Sequence, residues 1–101
     1  MIIGNFDEAI SISMRKPVLI EFRAEWCRSC KGFSDIIRGL NRDHPDLVIC
    51  MVDVEDHPDI ADRYGIVSLP TVILLSAGDP VIKESGALPR QRIEAIMRGV
   101  I

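Results

Sequence analysis

Cys27 and Cys30 stand three positions apart in the stretch AEWCRSC, with Arg28 and Ser29 between them and Trp26 just before. Two thiols at this spacing can cycle between dithiol and disulfide, supply half of a metal site, or meet by coincidence. The thiolate is the nucleophile, so the surroundings decide which chemistry is open. Arg23, Arg28 and Lys31 surround the pair with positive charge, which favours a thiolate. Glu21 is a lone acid inside the apolar run VLIEF. Alternation along a strand points it into the core, beneath the second cysteine. A carboxyl buried there has a raised pKa and can take the Cys30 proton, directly or through water, as a general base. On an edge strand the same residue would instead reach solvent.

Positioning these groups requires a frame, and hydrophobic periodicity supplies one. Asn5 with Glu8 has the form of a capping box, and a helix follows over residues 6–14, ended by RKP. PVLIEF (17–22) is a short apolar run of the kind that forms a strand covered on both faces. Phe33, Ile36, Ile37 and Leu40 recur at helical spacing and predict a helix over 27–42. DHPD (43–46) breaks it, and LVICMVDV (47–54) is a second buried strand. HPDIADRYG (57–65) reads as a short helix with Pro58 near its start and Gly65 beyond its end. LPTVILLS (69–76) and VIKES (81–85) are strands joined by a turn, AGDP (77–80). LPRQRIEAIMRGVI (88–101) closes the chain as an amphipathic helix with Ile93, Ile96, Met97 and Val100 on its apolar side. Met1–Ile3 adds a very short edge strand.

Strand, helix, strand with a right-handed crossover gives a parallel first half, and the hairpin adds antiparallel strands. The expected architecture is α/β, a mixed central sheet flanked by about four helices. Cys27 then falls where a strand ends and a helix begins. Free backbone N–H groups and the helix dipole favour a negative charge there.

Composition narrows the function. A chain of 101 residues with 48% hydrophobic and 27% charged residues is expected to form one soluble domain over 1–101. No apolar run approaches the ~20 residues a membrane span needs. MIIGNFDEAI has no basic leader and carries acids early, which favours the cytoplasm. An odd count of three cysteines argues against a structural disulfide framework. A net charge of −3 argues against nucleic-acid binding. Asp53, Glu55, Asp56, Asp59 and Asp62 read as a solvated acidic loop. Cys50 lies in a buried strand and reads as core filler. His44 and His57 precede prolines at spacings that match no zinc pattern.

The stretch VLIEFRAEWCRSCK, followed downstream by YGIVSLPT and then SGAL, resembles thioredoxin over about residues 3–98. The W-C-x-x-C-K core and the I-x-x-x-P-T segment together carry the resemblance. It implies the thioredoxin fold and dithiol–disulfide exchange with oxidised protein substrates, with electrons from a separate reductase and no bound cofactor. By the same resemblance Cys27 is the attacking thiolate and Cys30 the resolving thiol, while Trp26 shapes the surface beside them. Pro70 matches the family's cis-proline, which keeps a backbone N–H away from the sulfurs and leaves Leu69 free to pair with an extended substrate. Gly86 and Ala87 match the small loop beside that groove.

Several residues depart from the usual thioredoxin pattern. Arg28 and Ser29 stand where Gly-Pro is typical, Arg23 where an aromatic is common, and Asp35 where a proline kinks the helix. Met51 takes a position often held by a lysine that pairs with the buried acid, and that acid is Glu21 where aspartate is usual. Without the proline, Ser29 offers an N–H near Cys27, and Arg28 adds charge. Both are expected to stabilise the Cys27 thiolate and tune its pKa. Met51 leaves Glu21 without a charge partner and more often protonated. The expected protein is a monomeric disulfide reductase whose basic rim, Arg23, Arg28 and Lys31, favours acidic docking surfaces. Two other readings are a thioredoxin-fold binding module without turnover, and a metal or cluster carrier using the C-x-x-C pair across a dimer.

Overall fold

A computed structural model describes residues 1–98. The chain runs β1 (Ile2–Ile3), α1 (Phe6–Ser13), β2 (Val18–Arg23), α2 (Arg28–Asp43), β3 (Val48–Asp53), α3 (Pro58–Arg63), β4 (Thr71–Ser76), β5 (Asp79–Ser85) and α4 (Arg90–Arg98). The strands form one sheet in the order β1-β3-β2-β4-β5. β1, β3 and β2 are parallel, and β4 and β5 are antiparallel additions. This is the mixed α/β sheet with helices on both faces expected from the sequence.

Side-chain alternation divides the core in two. Ile20, Phe22, Cys50, Val52, Ile73 and Leu75 pack with Phe6, Ala9 and Ile12 of α1 and Ile60 of α3. Leu19, Ile49, Val72 and Leu74 turn the other way, onto Phe33, Ile37 and Leu40 of α2 and Ile93, Ile96 and Met97 of α4. β2 lies between β3 and β4 and has helices packed on both of its faces, so Glu21 is fully buried. Glu21 shares the parity of Leu19 and therefore faces α2.

Helix boundaries follow local chemistry. Asn5 caps α1, its side chain accepting the Glu8 N–H at 2.9 Å. α3 is shorter than expected, and Lys83 covers its end by donating to the carbonyls of Tyr64 at 2.9 Å and Gly65 at 3.0 Å. α4 begins at Arg90, and the last three residues of the expected helix, 99–101, lie outside the described residues.

The hairpin corrects one expectation. Only Ala77 and Gly78 form the turn, with φ of 53° and 83°, the twist that suits a two-residue hairpin. Asp79 and Pro80 belong to β5. A proline is tolerated because β5 is a sheet edge, and a register shift at Leu74/Leu75 absorbs the irregularity. Buried Ser13 holds the turn, its carbonyl accepting from Ala77 N–H at 2.8 Å and its hydroxyl from Gly78 N–H at 3.1 Å. β4 likewise starts at Thr71 rather than Leu69, since Pro70 has no N–H to give a ladder.

Candidate active site

Cys27 is the N-cap of α2, in extended conformation, and its Sγ accepts the Cys30 N–H at 3.2 Å. Sulfur thus occupies the place where serine or aspartate oxygens usually satisfy a helix's free donors. Cys27 and Cys30 are joined in a disulfide, their Cα atoms 5.3 Å apart. The two sulfurs are not equivalent. Cys27 retains 6% exposure, whereas Cys30 is fully buried on the inner face of α2. The Ser29 hydroxyl lies 3.5 Å from Cys27 Sγ. The sequence leads one to expect the Ser29 backbone N–H as the donor near Cys27. The groups found against the sulfur are the Ser29 side chain and the Cys30 N–H. Arg28 and Lys31 are exposed, and neither forms a salt bridge among the described residues.

Strand register explains why distant segments meet here. Phe22 pairs with Thr71, and Thr71 with Ser85. The residues just before β4 and just after β5 therefore lie beside the turn that leaves β2. The Leu69–Pro70 peptide bond is cis. Leu69 packs against Ala24, Cys27 and Cys30, and its own N–H and C=O have no backbone partner among the described residues. Pro70 O accepts from Gly86 N–H at 2.8 Å, and Gly86 has a φ of 102°, which favours glycine. Ala87 is exposed next to it. Val67, which no sequence pattern singles out, is 94% exposed. With Trp26, 66% exposed, it adds apolar surface to the loops at this end of the sheet.

Trp26 donates its indole N–H to Glu55 Oε1 at 2.6 Å, and Glu55 N–H in turn donates to Asp53 Oδ1 at 2.8 Å. Part of the acidic stretch that reads as solvated loop is thus tied to the site. The parallel β2/β3 register, with Arg23 opposite Asp53, is the available clue, because residues just past both strands must be neighbours.

Glu21 is fully buried. Its Oε2 accepts from Ser34 Oγ at 2.6 Å, and its Oε1 has no hydrogen-bond partner among the described residues. Burial pushes the carboxyl above the usual range, opposed by the Ser34 hydrogen bond and by the charges of Arg23 and Arg38. Met51 sits opposite Glu21 in the sheet and offers no compensating charge. Cys30 and Ser34 fall on the same buried stripe of α2, one turn apart, so the carboxyl is tied to the helical turn that follows the second cysteine.

The remaining candidates lie elsewhere. Cys50 is buried on the opposite face, among the α1-side core residues, and desolvation followed by Glu8 pushes its thiol up to about 11. His44 lies 3.4 Å from Glu94. His57 precedes α3 without a side-chain capping bond. Among the described residues no group of three or more His, Cys, Asp or Glu could hold a metal ion, and no helix is long and apolar enough to cross a membrane.

The family model for thioredoxin matches residues 3–99. The chain belongs to the thioredoxin family. It is 34% identical over 99 residues to a thioredoxin of Alicyclobacillus acidocaldarius, covering 97% of this chain and 92% of that one. A protein described as putative thioredoxin 2 of Streptomyces coelicolor is 38% identical over 97 residues, or 96% of this chain and 68% of its own length. Among solved structures, the reduced thioredoxin pre-protein of Schistosoma mansoni superposes with a TM-score of 0.87 at 26% identity, covering 99% of this chain and 93% of its own. Thioredoxins are thiol–disulfide oxidoreductases, and the Cys27–Cys30 pair gives this chain that activity. Proteins of the family act on protein disulfides, are reduced in turn by a reductase, and carry two electrons in the reduced form of the cysteine pair itself.

Proposed function

We propose that this thioredoxin-family chain works as a reductant of protein disulfides, with Cys27 attacking and Cys30 resolving. The Cys27 thiolate attacks one sulfur of a substrate disulfide, forming a mixed disulfide and expelling the other substrate sulfur as a thiolate, which takes a proton from solvent. Glu21 then accepts the Cys30 proton. The Cys30 thiolate attacks Cys27 Sγ, the bond from Cys27 to substrate breaks, and the second substrate thiolate leaves. The product is the Cys27–Cys30 disulfide, two electrons having passed to the substrate. The observation that carries this assignment is the asymmetry of the pair. Cys27 is an N-cap sulfur with residual exposure, and Cys30 is sealed beneath it.

Trp26, Leu69, Pro70, Gly86 and Ala87 form the substrate platform in this reading, with the unpaired Leu69 backbone supplying strand-like hydrogen bonds. Arg28 and Ser29 tune the thiolate. Arg28 and Lys31, together with Arg23, favour substrates that are acidic around their disulfide. A separate reductase restores the dithiol, no further cofactor takes part, and a monomer of one domain over 1–101 suffices. A reducing compartment, the cytoplasm, suits this direction of flow.

Insulin reduction by dithiothreitol tests the reading. Catalytic amounts of the protein should accelerate precipitation of the insulin B chain, and Cys27→Ser should abolish the acceleration. Activity no different from buffer would make the chain a binding module.

A further inference from the structure

The buried face of α2 between Cys30 and Leu40 is apolar at Phe33 and Ile37, yet it carries one hydroxyl, Ser34, only 1% exposed. A serine inside a helix usually hydrogen-bonds back to its own backbone or turns to water. Ser34 does neither. It donates to Glu21 Oε2 across 2.6 Å. The contact is between a helix and a central strand, and it leaves Oε1 as the carboxyl's free oxygen.

We infer that Ser34 is a positioning residue for the proton transfer from Cys30, holding Oε2 so that Oε1 is the oxygen that receives the proton. This rests on the reading of Glu21 as the base. Geometry supports it in two ways. Cys30 and Ser34 are one helical turn apart on the same buried stripe, so a carboxyl tied to Ser34 is held at the turn of α2 that follows Cys30. An O–H donor also favours the ionised carboxylate over the acid, and only the carboxylate can accept a proton. Burial alone would otherwise hold Glu21 protonated further up the pH scale, and the Ser34 bond opposes that.

Few other groups can do this work. The charges acting on Glu21 are Arg23 at the end of β2 and Arg38 on α2. Its sheet neighbours, Met51 on β3 and Val72 on β4, are uncharged, and α4 presents Ile93, Ile96 and Met97 to this face. On α2 itself, Cys30 lies one turn before Ser34 on the same buried stripe. Ser34 is the one side-chain hydrogen-bond donor to the carboxyl among the described residues.

The test is the pH dependence of the resolving step, followed by stopped-flow decay of a preformed mixed disulfide between Cys27 and a small aromatic thiol. Ser34→Ala should slow that step about tenfold at pH 7, the scale of a hydrogen bond to a charged group, and the deficit should shrink as pH rises. The infrared carboxyl band removed by Glu21→Gln should persist to higher pH in Ser34→Ala than in the parent. Ser34→Ala in a Glu21→Gln background should change neither the rate nor its pH profile. If Glu21→Gln keeps the parent's pH profile, the base assignment falls and this inference with it. If Glu21→Gln loses the profile while Ser34→Ala leaves profile and band unmoved, the base stands and the role of Ser34 is refuted.

Discussion

Trp26 Nε1 and Glu55 Oε1 are 2.6 Å apart, which ties the residue before Cys27 to the loop that follows β3. A large aromatic side chain that is mostly exposed gains little from packing, so this bond decides where the indole lies. Glu55→Ala should free the ring, and the chain's sole tryptophan reports it directly. Emission of the reduced protein should change on substitution, and KM for a protein disulfide should rise about threefold to tenfold, as for loss of a hydrogen bond worth about 0.5–1.5 kcal/mol. An unchanged emission spectrum with unchanged KM would show that Glu55 does not orient the platform.

Glu21 sets a pH dependence of stability whose sign can be worked out. Its carboxyl binds a proton more readily folded than unfolded, because burial raises the folded value. The native state is therefore favoured most below the unfolded glutamate value of ~4.3, and that advantage is lost as pH climbs toward the folded value. Glu21→Gln cannot ionise and escapes the loss. In urea unfolding of the oxidised protein the variant should be comparable to the parent near pH 4. By pH 8 it should be more stable by about 1–3 kcal/mol, the cost of a buried polar group left uncompensated. A difference that is constant with pH would mean that Glu21 does not titrate in this range.

Much of this site is legible in the amino-acid sequence, and the reason is periodicity. β2 reads as a buried strand because the run from Val18 to Phe22 is apolar apart from Glu21, and that interruption marks the acid. Cys27 and Cys30 are readable because a strand end followed by helical spacing places them at a helix start. Ser34 and Glu55 carry no such mark, for a shared reason. Each hydrogen-bonds to a partner on another element, Glu21 on β2 and Trp26 beyond it, and no local pattern distinguishes such a serine or glutamate from a solvated one. AGDP misleads for the opposite reason. Asp79 and Pro80 are strong turn formers, but an edge strand asks for no N–H from Pro80, so the sheet extends over both.

The dipeptide between the cysteines should shift the couple in a defined direction. Exchanging Arg28-Ser29 for Gly-Pro removes a nearby positive charge and the hydroxyl 3.5 Å from Cys27 Sγ. Both losses destabilise the thiolate, so the variant should be more reducing by a few tens of mV, with ~30 mV equivalent to ~1.4 kcal/mol. Ser29→Ala should account for more of the shift than Arg28→Gly, because Arg28 is exposed and its charge is screened. The Arg28 component should shrink in high salt. Equilibration against glutathione measures each variant, and a more oxidising Gly-Pro protein would contradict the thiolate argument.

The central claim is the division of labour between the two sulfurs, and a trapping experiment reads it directly. Cys30→Ser and Cys27→Ser, both reduced, are mixed with a protein carrying one accessible disulfide, quenched with acid and mapped by mass spectrometry. Cys27 Sγ lies toward the surface as the helix cap, with Cys30 Sγ beneath it. Cys30→Ser should therefore accumulate a mixed disulfide at Cys27, and Cys27→Ser should accumulate none. Equal capture by Cys27→Ser through Cys30 would contradict the account.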